Sequence, residues 1–575
     1  MTIPEAHASL TAPGEFFETE QRVIRGVDCL VWKNAPTTLR DVFLAGRTHG
    51  ERTFLVYEDE RATFEGFARA VAVFSRELIK LGVRKGDRIA IAMRNLPEWP
   101  VAFYGAALAG AIVTPLNAWW TGNELIYGLV DCGAKVLVAD DERFQRIVGR
   151  LHECSDLEQI YVARAASASM SSDARLHALK DIIGGVGDWA SLPDYELPNV
   201  VLAPEDDLTI FYTSGTTGKP KGALGTHRNM MSTLMAGAFI NARAKLRQRS
   251  QSAQAEQGTP PPKALLLGVP LFHVIACHGT LTPALFGGAK LVLMRKWDAE
   301  LALQLIERER ITDTGGVPTN ALQLLMHPSR AHYDLSSLAS LSFGGASSRP
   351  ELVDELNRAF PQTSPFTGWG MTETSGAVAG HCGEDLERRP TSCGAPIAVC
   401  EMKVVGPQGE TLPAGEVGEL FAKGPNIVKG YWHRPQETAE SFVDGWVRTG
   451  DLARLDEEGF CYIVDRVKDV IIRGGENIYC VEVENVLQGH PAVAEAALVP
   501  IPHEVLGEQP GAIVHLRPGA FATEQDLQAF AASQLASFKV PARIEFRTEP
   551  LPRSALGKVL KRDLAQTFIG KPAAT

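Results

Sequence analysis

Residues 212–222 read YTSGTTGKPKG, from Tyr212 to Gly222. Three glycines, five hydroxyl side chains and two lysines within this stretch are the ingredients of a phosphate cradle. Glycine lets the backbone come close, while hydroxyls and N–H groups turn toward oxygen. The spacing is not that of the Walker loop, which needs a longer run between its glycines and Ser or Thr after its lysine. Here only Thr216 and Thr217 separate Gly215 from Gly218, and Pro220 follows Lys219. Asp207–Tyr212 before the loop reads as a strand, and Thr226 is the expected N-cap of a helix running to Met235. Pro220 and Gly222 keep that helix from starting at Lys219, so phosphates are not expected to rest on its N-terminus. The sequence predicts a mobile loop that closes on β- and γ-phosphates through backbone N–H groups and the hydroxyls of Ser214, Thr216 and Thr217. A glycine-rich surface turn is the plainer alternative, but this composition is far more specific.

The whole chain bounds what such a loop can serve. At 575 residues the length predicts roughly two to four folding units. A hydrophobic content of 45% and a charged content of 22% are those of an ordinary globular protein. A net charge of −11 argues against coating nucleic acid. The nine cysteines are scattered with no CxxC pair, which points to free thiols and a cytoplasmic setting. The acidic, polar N-terminus lacks the pattern of a signal peptide. The longest uncharged run, between Glu98 and Glu124, is broken by Gly105, Gly110, Pro115 and Asn117; it reads as helix, turn and strand, not as a transmembrane segment.

The first half alternates helical and β-branched stretches. Phe64–Leu81 is amphipathic, Arg88–Met93 reads as a strand, Pro97–Gly110 as a helix, and 111–115 and 135–139 as strands. This βα alternation predicts an α/β fold with a mostly parallel sheet. Residues 241–263 read as a solvated loop or insertion. The adjacent Trp119 and Trp120 are expected to pack in the interior. From Pro413 onward the chain is rich in strands and turns, and beyond about Arg466 it reads as a small α/β unit of its own.

Four further motifs follow in order: TGWGMTE at 367–373, RTGD at 448–451 with Asp465-Arg466, VDRVKDVIIRGGENI at 464–478, and LPRSALGKVLKR at 551–562. With the loop they resemble the adenylate-forming enzymes, the family of acyl-CoA synthetases, firefly luciferase and peptide-synthetase adenylation domains. The likeness runs from about Phe43 to Ile569 and leans toward bacterial fatty-acid and aryl-acid CoA ligases. It implies a large N-terminal domain of layered α/β subdomains over 1–465 and a small mobile α+β C-terminal domain over 466–575.

The resemblance also implies residue roles. Thr213, Ser214, Gly215, Thr216, Thr217, Gly218, Lys219 and Lys221 would surround the phosphates of ATP. Gly345 and Ala346 would line adenine, with the Trp369 ring stacked on it where the family usually has Tyr. Thr372 would bind phosphate oxygen, and Glu373 would hold Mg2+, a hard cation suited to carboxylate oxygen. Asp451 would accept the ribose hydroxyls, with Arg466 on ribose or phosphate. Lys468 would be the hinge about which the C-terminal domain turns, and Gly474 and Gly475 would approach the acyl-adenylate afterwards. Lys558 would offset the repulsion between substrate carboxylate and α-phosphate; its neighbours Lys561 and Arg562 read as a solvated basic helix. Cys480 stands where the family often has proline. His273, in Pro270-Leu-Phe-His, would gate the carboxylate site. Val274, Ile275, Cys277, Val317, Gly345 and Gly368 would line an apolar acyl pocket, and His278 is evenly balanced between pocket and core.

The reaction so implied joins a carboxylic acid to coenzyme A through acyl-AMP, releasing pyrophosphate and then AMP. Loading a carrier-protein phosphopantetheine is the alternative acceptor chemistry, and a non-catalytic nucleotide-binding protein is the alternative from another class. The sequence predicts small-molecule partners and no nucleic acid, and it allows a homodimer.

Overall fold

The computed structural model describes residues 1–166, 173–213, 219–248, 262–345, 351–474, 476–554 and 557–568. These fall into two compact units. The first draws on Met1–Gly345, Leu352–Met402 and Ala422–Val447, the second on Lys403–Phe421 and Arg448–Thr575.

Two sheets organise the first unit. One runs in the order Lys221–Thr226, Asp207–Thr213, Ile112–Pro115, Arg88–Ala92, Ala134–Asp140, Gln159–Ala163, Leu176–Ala178. It is parallel except at its Lys221–Thr226 edge, which pairs antiparallel with Asp207–Thr213. The other is nine-stranded, and its centre is parallel: Ser364–Met371, Ser340–Gly344, Asp313–Gly316, Ala264–Leu267, Lys290–Leu293 and Thr53–Tyr57. The first is the mostly parallel sheet that the βα alternation predicts; the second is not separately foreseen by it.

The helices between strands carry the core. In Phe64–Lys80 the residues Phe64, Phe67, Ala68, Val71, Phe74 and Leu78 recur at helical spacing and are buried, and the Thr63 hydroxyl caps the helix by accepting from Gly66 N–H at 3.0 Å. The uncharged run after Glu98 becomes the helix Glu98–Leu108, buried on all faces. Gly105 lets it pack closely, because a Cβ there would stand 2.7 Å from Phe74. No helix among the described residues is long and apolar enough to cross a membrane.

Two local expectations fail. Residues 241–247 are not loop but the end of the helix Ala236–Arg247. Its arginines are interior: Arg243 donates to the carbonyls of Pro396, at 2.7 Å, and Gly380, and Arg247 pairs with Asp385 at 2.8 Å. Residues 249–261 lie outside the described part. Of the two tryptophans only Trp120 is buried; Trp119 is exposed, with the Arg94 guanidinium 5.0 Å from its ring centroid.

The second unit contains a sheet in the order Glu476–Ile478, Ile471–Arg473, Gly507–Leu516, Val493–His503, with Arg543–Arg547 parallel to Gly507–Leu516. The helices Cys480–Gln488 and Glu524–Ala532 bury Val483, Leu487, Leu527 and Ala531 in a core with Ile471, Leu498 and Val514.

Candidate functional site

In the first unit, the strand Asp207–Thr213 delivers the chain to the glycine-rich loop and the strand Lys221–Thr226 takes it away, with Thr213 opposite Lys221 and Tyr212 opposite Gly222. The helix that follows starts at His227, capped by Thr226, so no helix N-terminus stands at Lys219. Ser214, Gly215, Thr216, Thr217 and Gly218 lie outside the described residues. What flanks them is closely held. Tyr212 Oη donates to Asp131 Oδ2 at 2.7 Å, Arg434 pairs with Asp131 Oδ1 at 2.7 Å, and Tyr127 Oη donates to the Pro220 carbonyl at 2.9 Å. Both lysines rest on aromatic faces: Lys219 Nζ is 5.0 Å from the Tyr127 ring centroid and Lys221 Nζ is 4.6 Å from that of Tyr431.

TGWGMTE lies on the strand Ser364–Met371 and the short turn Thr372–Thr374. The turn is fixed by Thr374, whose hydroxyl accepts from Met371 N–H at 2.9 Å and donates to the Gly376 carbonyl at 2.7 Å. It buries Glu373, which is only 6% exposed. Glu373 Oε1 accepts the Tyr431 hydroxyl at 2.8 Å, and its backbone carbonyl accepts Val428 N–H at 3.0 Å. Burial first, and then the Glu373 charge, push the Tyr431 phenol far above the ordinary tyrosine range, so it remains a donor. Trp369 is 9% exposed.

The pocket residues gather at the carboxyl ends of neighbouring parallel strands, the usual ligand-binding edge of such sheets. Gly316, just before Val317, stands opposite Phe343, and Gly344 stands opposite Gly368. Gly345 has φ +74°, and a Cβ there would stand 3.7 Å from Ile275 Cδ1. Ala346 lies outside the described residues. Val274 opens a helical turn after His273, and Cys277 is fully buried. His278 is buried as well: its Nδ1 lies 2.9 Å from the Ser375 carbonyl, and burial lowers its pKa to about 4. It is therefore neutral at pH 7, with Nδ1–H donating, while its buried Nε2 meets no hydrogen-bond partner among the described residues.

In the second unit, Asp451 and Arg466 are register partners on adjacent strands, and Arg466 Nε lies 2.8 Å from Asp451 Oδ1. Asp451 is 5% exposed and its N–H donates to Thr449 Oγ1 at 3.1 Å. Lys468 follows in the turn closed by Asp469 N–H on the Arg466 carbonyl, and burial pulls its pKa down. Gly474 has φ +59° and donates to the Leu506 carbonyl at 2.8 Å; Gly475 lies outside the described residues. Lys558 closes a turn in which Ser554 N–H donates to its carbonyl at 2.8 Å, and Arg553 ties this turn to Glu495 at 2.7 Å. Lys561 is not a solvated residue. Its side chain is 21% exposed and its Nζ lies 2.7 Å from Glu484 Oε1.

The profile of the AMP-binding enzymes matches residues 43–432, and that of the AMP-binding enzyme C-terminal domain matches 482–558. The chain belongs to the AMP-binding enzymes. A long-chain-fatty-acid–CoA ligase of Bacillus subtilis (strain 168) is 32% identical over 537 residues, covering 90% of this chain and 92% of that protein. A feruloyl-CoA synthase of an Amycolatopsis species is 34% identical over 507 residues, covering 88% and 94%. Among solved structures, the Bacillus subtilis O-succinylbenzoate coenzyme A synthetase in complex with ATP and magnesium ion superposes with a TM-score of 0.74 at 29% identity, covering 91% of this chain and 98% of that one. The adenylate-forming family and α/β fold read from the motifs are thus borne out.

Sequence reasoning did not single out Tyr127, Asp131, Arg434 or Tyr431 in this AMP-binding enzyme. Tyr127, Asp131 and Tyr431 each act on a motif residue from a distant segment, Arg434 acts through Asp131, and Gly430-Tyr431-Trp432 read alone is only a turn with aromatics. The described residues hold no cluster of three or more His, Cys, Asp or Glu that could cage a metal. A buried carboxylate such as Glu373 nonetheless fits Mg2+ shared with phosphates, which takes one or two carboxylates from the protein.

Proposed function

We propose that the acid activated by this ATP-dependent acyl-CoA synthetase is a hydrophobic one, fatty or aromatic, and that its acceptor is free coenzyme A. The observation that carries the nucleotide half of this reading is the grouping of Lys221, Tyr431 and buried Glu373 beside the strand that leaves the glycine-rich loop. The apolar character of Val274, Ile275, Cys277 and Val317 supports the acid half, as does the absence of any acidic residue from 270–278 and 317–320 to receive an amino group.

On this reading Lys219 and Lys221 leave their aromatic faces for phosphate oxygens, a short move because cation–π contacts at exposed sites are worth only about 0.5–1 kcal/mol. Glu373 would hold the magnesium ion, which when bound neutralises phosphate charge. Trp369 offers a π-face to adenine and Asp451 accepts the ribose hydroxyls, as a carboxylate can for two O–H donors. Lys558 compensates the charge that builds when carboxylate meets α-phosphate. His273 borders the carboxylate. Lys468 is the hinge, and Gly474 leaves room for the thiol to reach the acyl-adenylate in the second step.

The test is AMP and pyrophosphate release by the purified enzyme over a graded panel of aliphatic and aromatic acids, with coenzyme A or a phosphopantetheinylated carrier protein as acceptor. Turnover with hydrophobic acids and coenzyme A is expected. AMP release only with the carrier protein, or only with amino acids, would overturn the proposal.

A further inference from the structure

We propose that Tyr431 is a positioning residue for the first half-reaction, coupling the lysine that leaves the glycine-rich loop to the carboxylate that takes magnesium. This rests on the reading of Glu373 as that carboxylate. Tyr431 is reached from the far side of the first unit, where 429–432 lie alongside the strand Lys221–Thr226. Lys429 N–H donates to the Leu224 carbonyl at 2.8 Å, Leu224 N–H to Gly430 at 2.9 Å, and Trp432 N–H to Gly222 at 2.7 Å. Gly430 has φ +146°, and a Cβ there would stand 2.4 Å from Thr438 Cγ2, so only glycine turns the chain this way. Thr438 then takes Tyr431 N–H at 2.9 Å. The backbone is held on both sides and the ring has one place to go.

That place joins two functional groups. The face of the ring carries the Lys221 ammonium at 4.6 Å, and the hydroxyl donates to Glu373 Oε1 at 2.8 Å. A donor on one carboxylate oxygen fixes the orientation of the group. Outer partners of this kind typically change metal affinity by about 10–100-fold when removed. The same ring meanwhile holds Lys221 on its face, so one side chain sets the place of both charged groups.

The experiment is calorimetric titration of ATP into the full-length enzyme at graded Mg2+, with acid KM measured in parallel. Tyr431→Phe keeps the ring and removes the hydroxyl; the Mg2+ concentration giving half-maximal ATP affinity should rise about tenfold, with acid KM unchanged. Thr438→Val disturbs the same backbone without touching the hydroxyl and should leave that midpoint where it is. An unchanged midpoint in Tyr431→Phe, or an equal shift in Thr438→Val, overturns the proposal. Glu373→Gln separates the two readings: if it too leaves the midpoint unmoved, Glu373 is not the magnesium carboxylate; if it alone shifts the midpoint, only the role of Tyr431 falls.

Discussion

Lys561 Nζ lies 2.7 Å from Glu484 Oε1 inside the second unit. Burial is the largest single influence and works against the ammonium, but the Glu484 charge and hydrogen bond, together with Cys480 and Asp465, outweigh it and keep Lys561 protonated beyond the ordinary lysine range. Glu484 is fixed in turn by Leu498 N–H at 2.7 Å. The pair joins the helix Cys480–Gln488 to the segment that carries Lys558. Lys561→Met leaves a buried carboxylate without its cation, a kind of change that costs about 3–5 kcal/mol. We expect a lower melting transition and faster amide exchange in the helix Cys480–Gln488. Unchanged exchange protection there would refute the account.

Three buried histidines of the first unit predict acid lability. His227 Nδ1 accepts Leu39 N–H at 3.1 Å, His278 Nδ1 lies 2.9 Å from the Ser375 carbonyl and His381 Nε2 lies 2.9 Å from the Ser392 carbonyl. Burial lowers the pKa of each to about 4. In the unfolded chain an imidazole takes its proton near pH 6.5, whereas in the fold it does so only near pH 4. The unfolded state therefore binds more protons in this window, and stability is lost as pH falls from about 6.5 to 4, by up to about 3 kcal/mol per imidazole. Denaturation midpoints measured across that range should drop, and His278→Gln should flatten the slope. A slope that His278→Gln does not alter would show that this imidazole is not held neutral.

What the sequence made legible was local. The helix Phe64–Lys80, the strand Arg88–Ala92 and the Thr226 cap follow from spacing within a few residues, and the motifs locate Glu373, Asp451, Arg466 and Lys558 because each is contiguous. The partners of those residues were not legible. Tyr431 reaches Glu373 across 58 residues and Tyr127 reaches Pro220 across 93, and no period or cap links such pairs. Composition misled at 241–247 and at Lys561 for one shared reason. A charged side chain reads as solvated until the fold supplies carbonyls for Arg243, Asp385 for Arg247 and Glu484 for Lys561.

The lysine assignment predicts a split between half-reactions. Lys558→Ala should lower pyrophosphate release from acid and ATP by about 10²–10³-fold, the usual loss when one group facing developing charge is removed. Transfer from supplied acyl-AMP to coenzyme A should stay within a few-fold, because the acyl–phosphate anhydride is already formed and no carboxylate has to approach the α-phosphate. Stopped-flow measurement of each half-reaction checks this. Equal losses in both would mean that Lys558 supports the fold or the hinge and not the adenylation step.

Cys480 offers a test of how the segment proposed as the hinge is held. Its N–H donates to Asp465 Oδ2 and its thiol donates to the Asp469 carbonyl at 2.9 Å, so one residue grips the chain on both sides of Lys468. Asp465 is 2% exposed and also accepts Arg466 N–H at 2.7 Å; burial raises its carboxyl above the usual aspartate range. Cys480 is the first residue of the helix Cys480–Gln488, a position whose backbone suits proline. Cys480→Pro should therefore fit the helix while removing one donor from a buried carboxylate, at a cost of about 1–3 kcal/mol. Cys480→Ala keeps the N–H and loses only the thiol, so it should cost less. Thermal unfolding of the two variants at pH 7 compares them directly. If Cys480→Pro is at least as stable as Cys480→Ala, the bond to Asp465 does not hold the hinge segment.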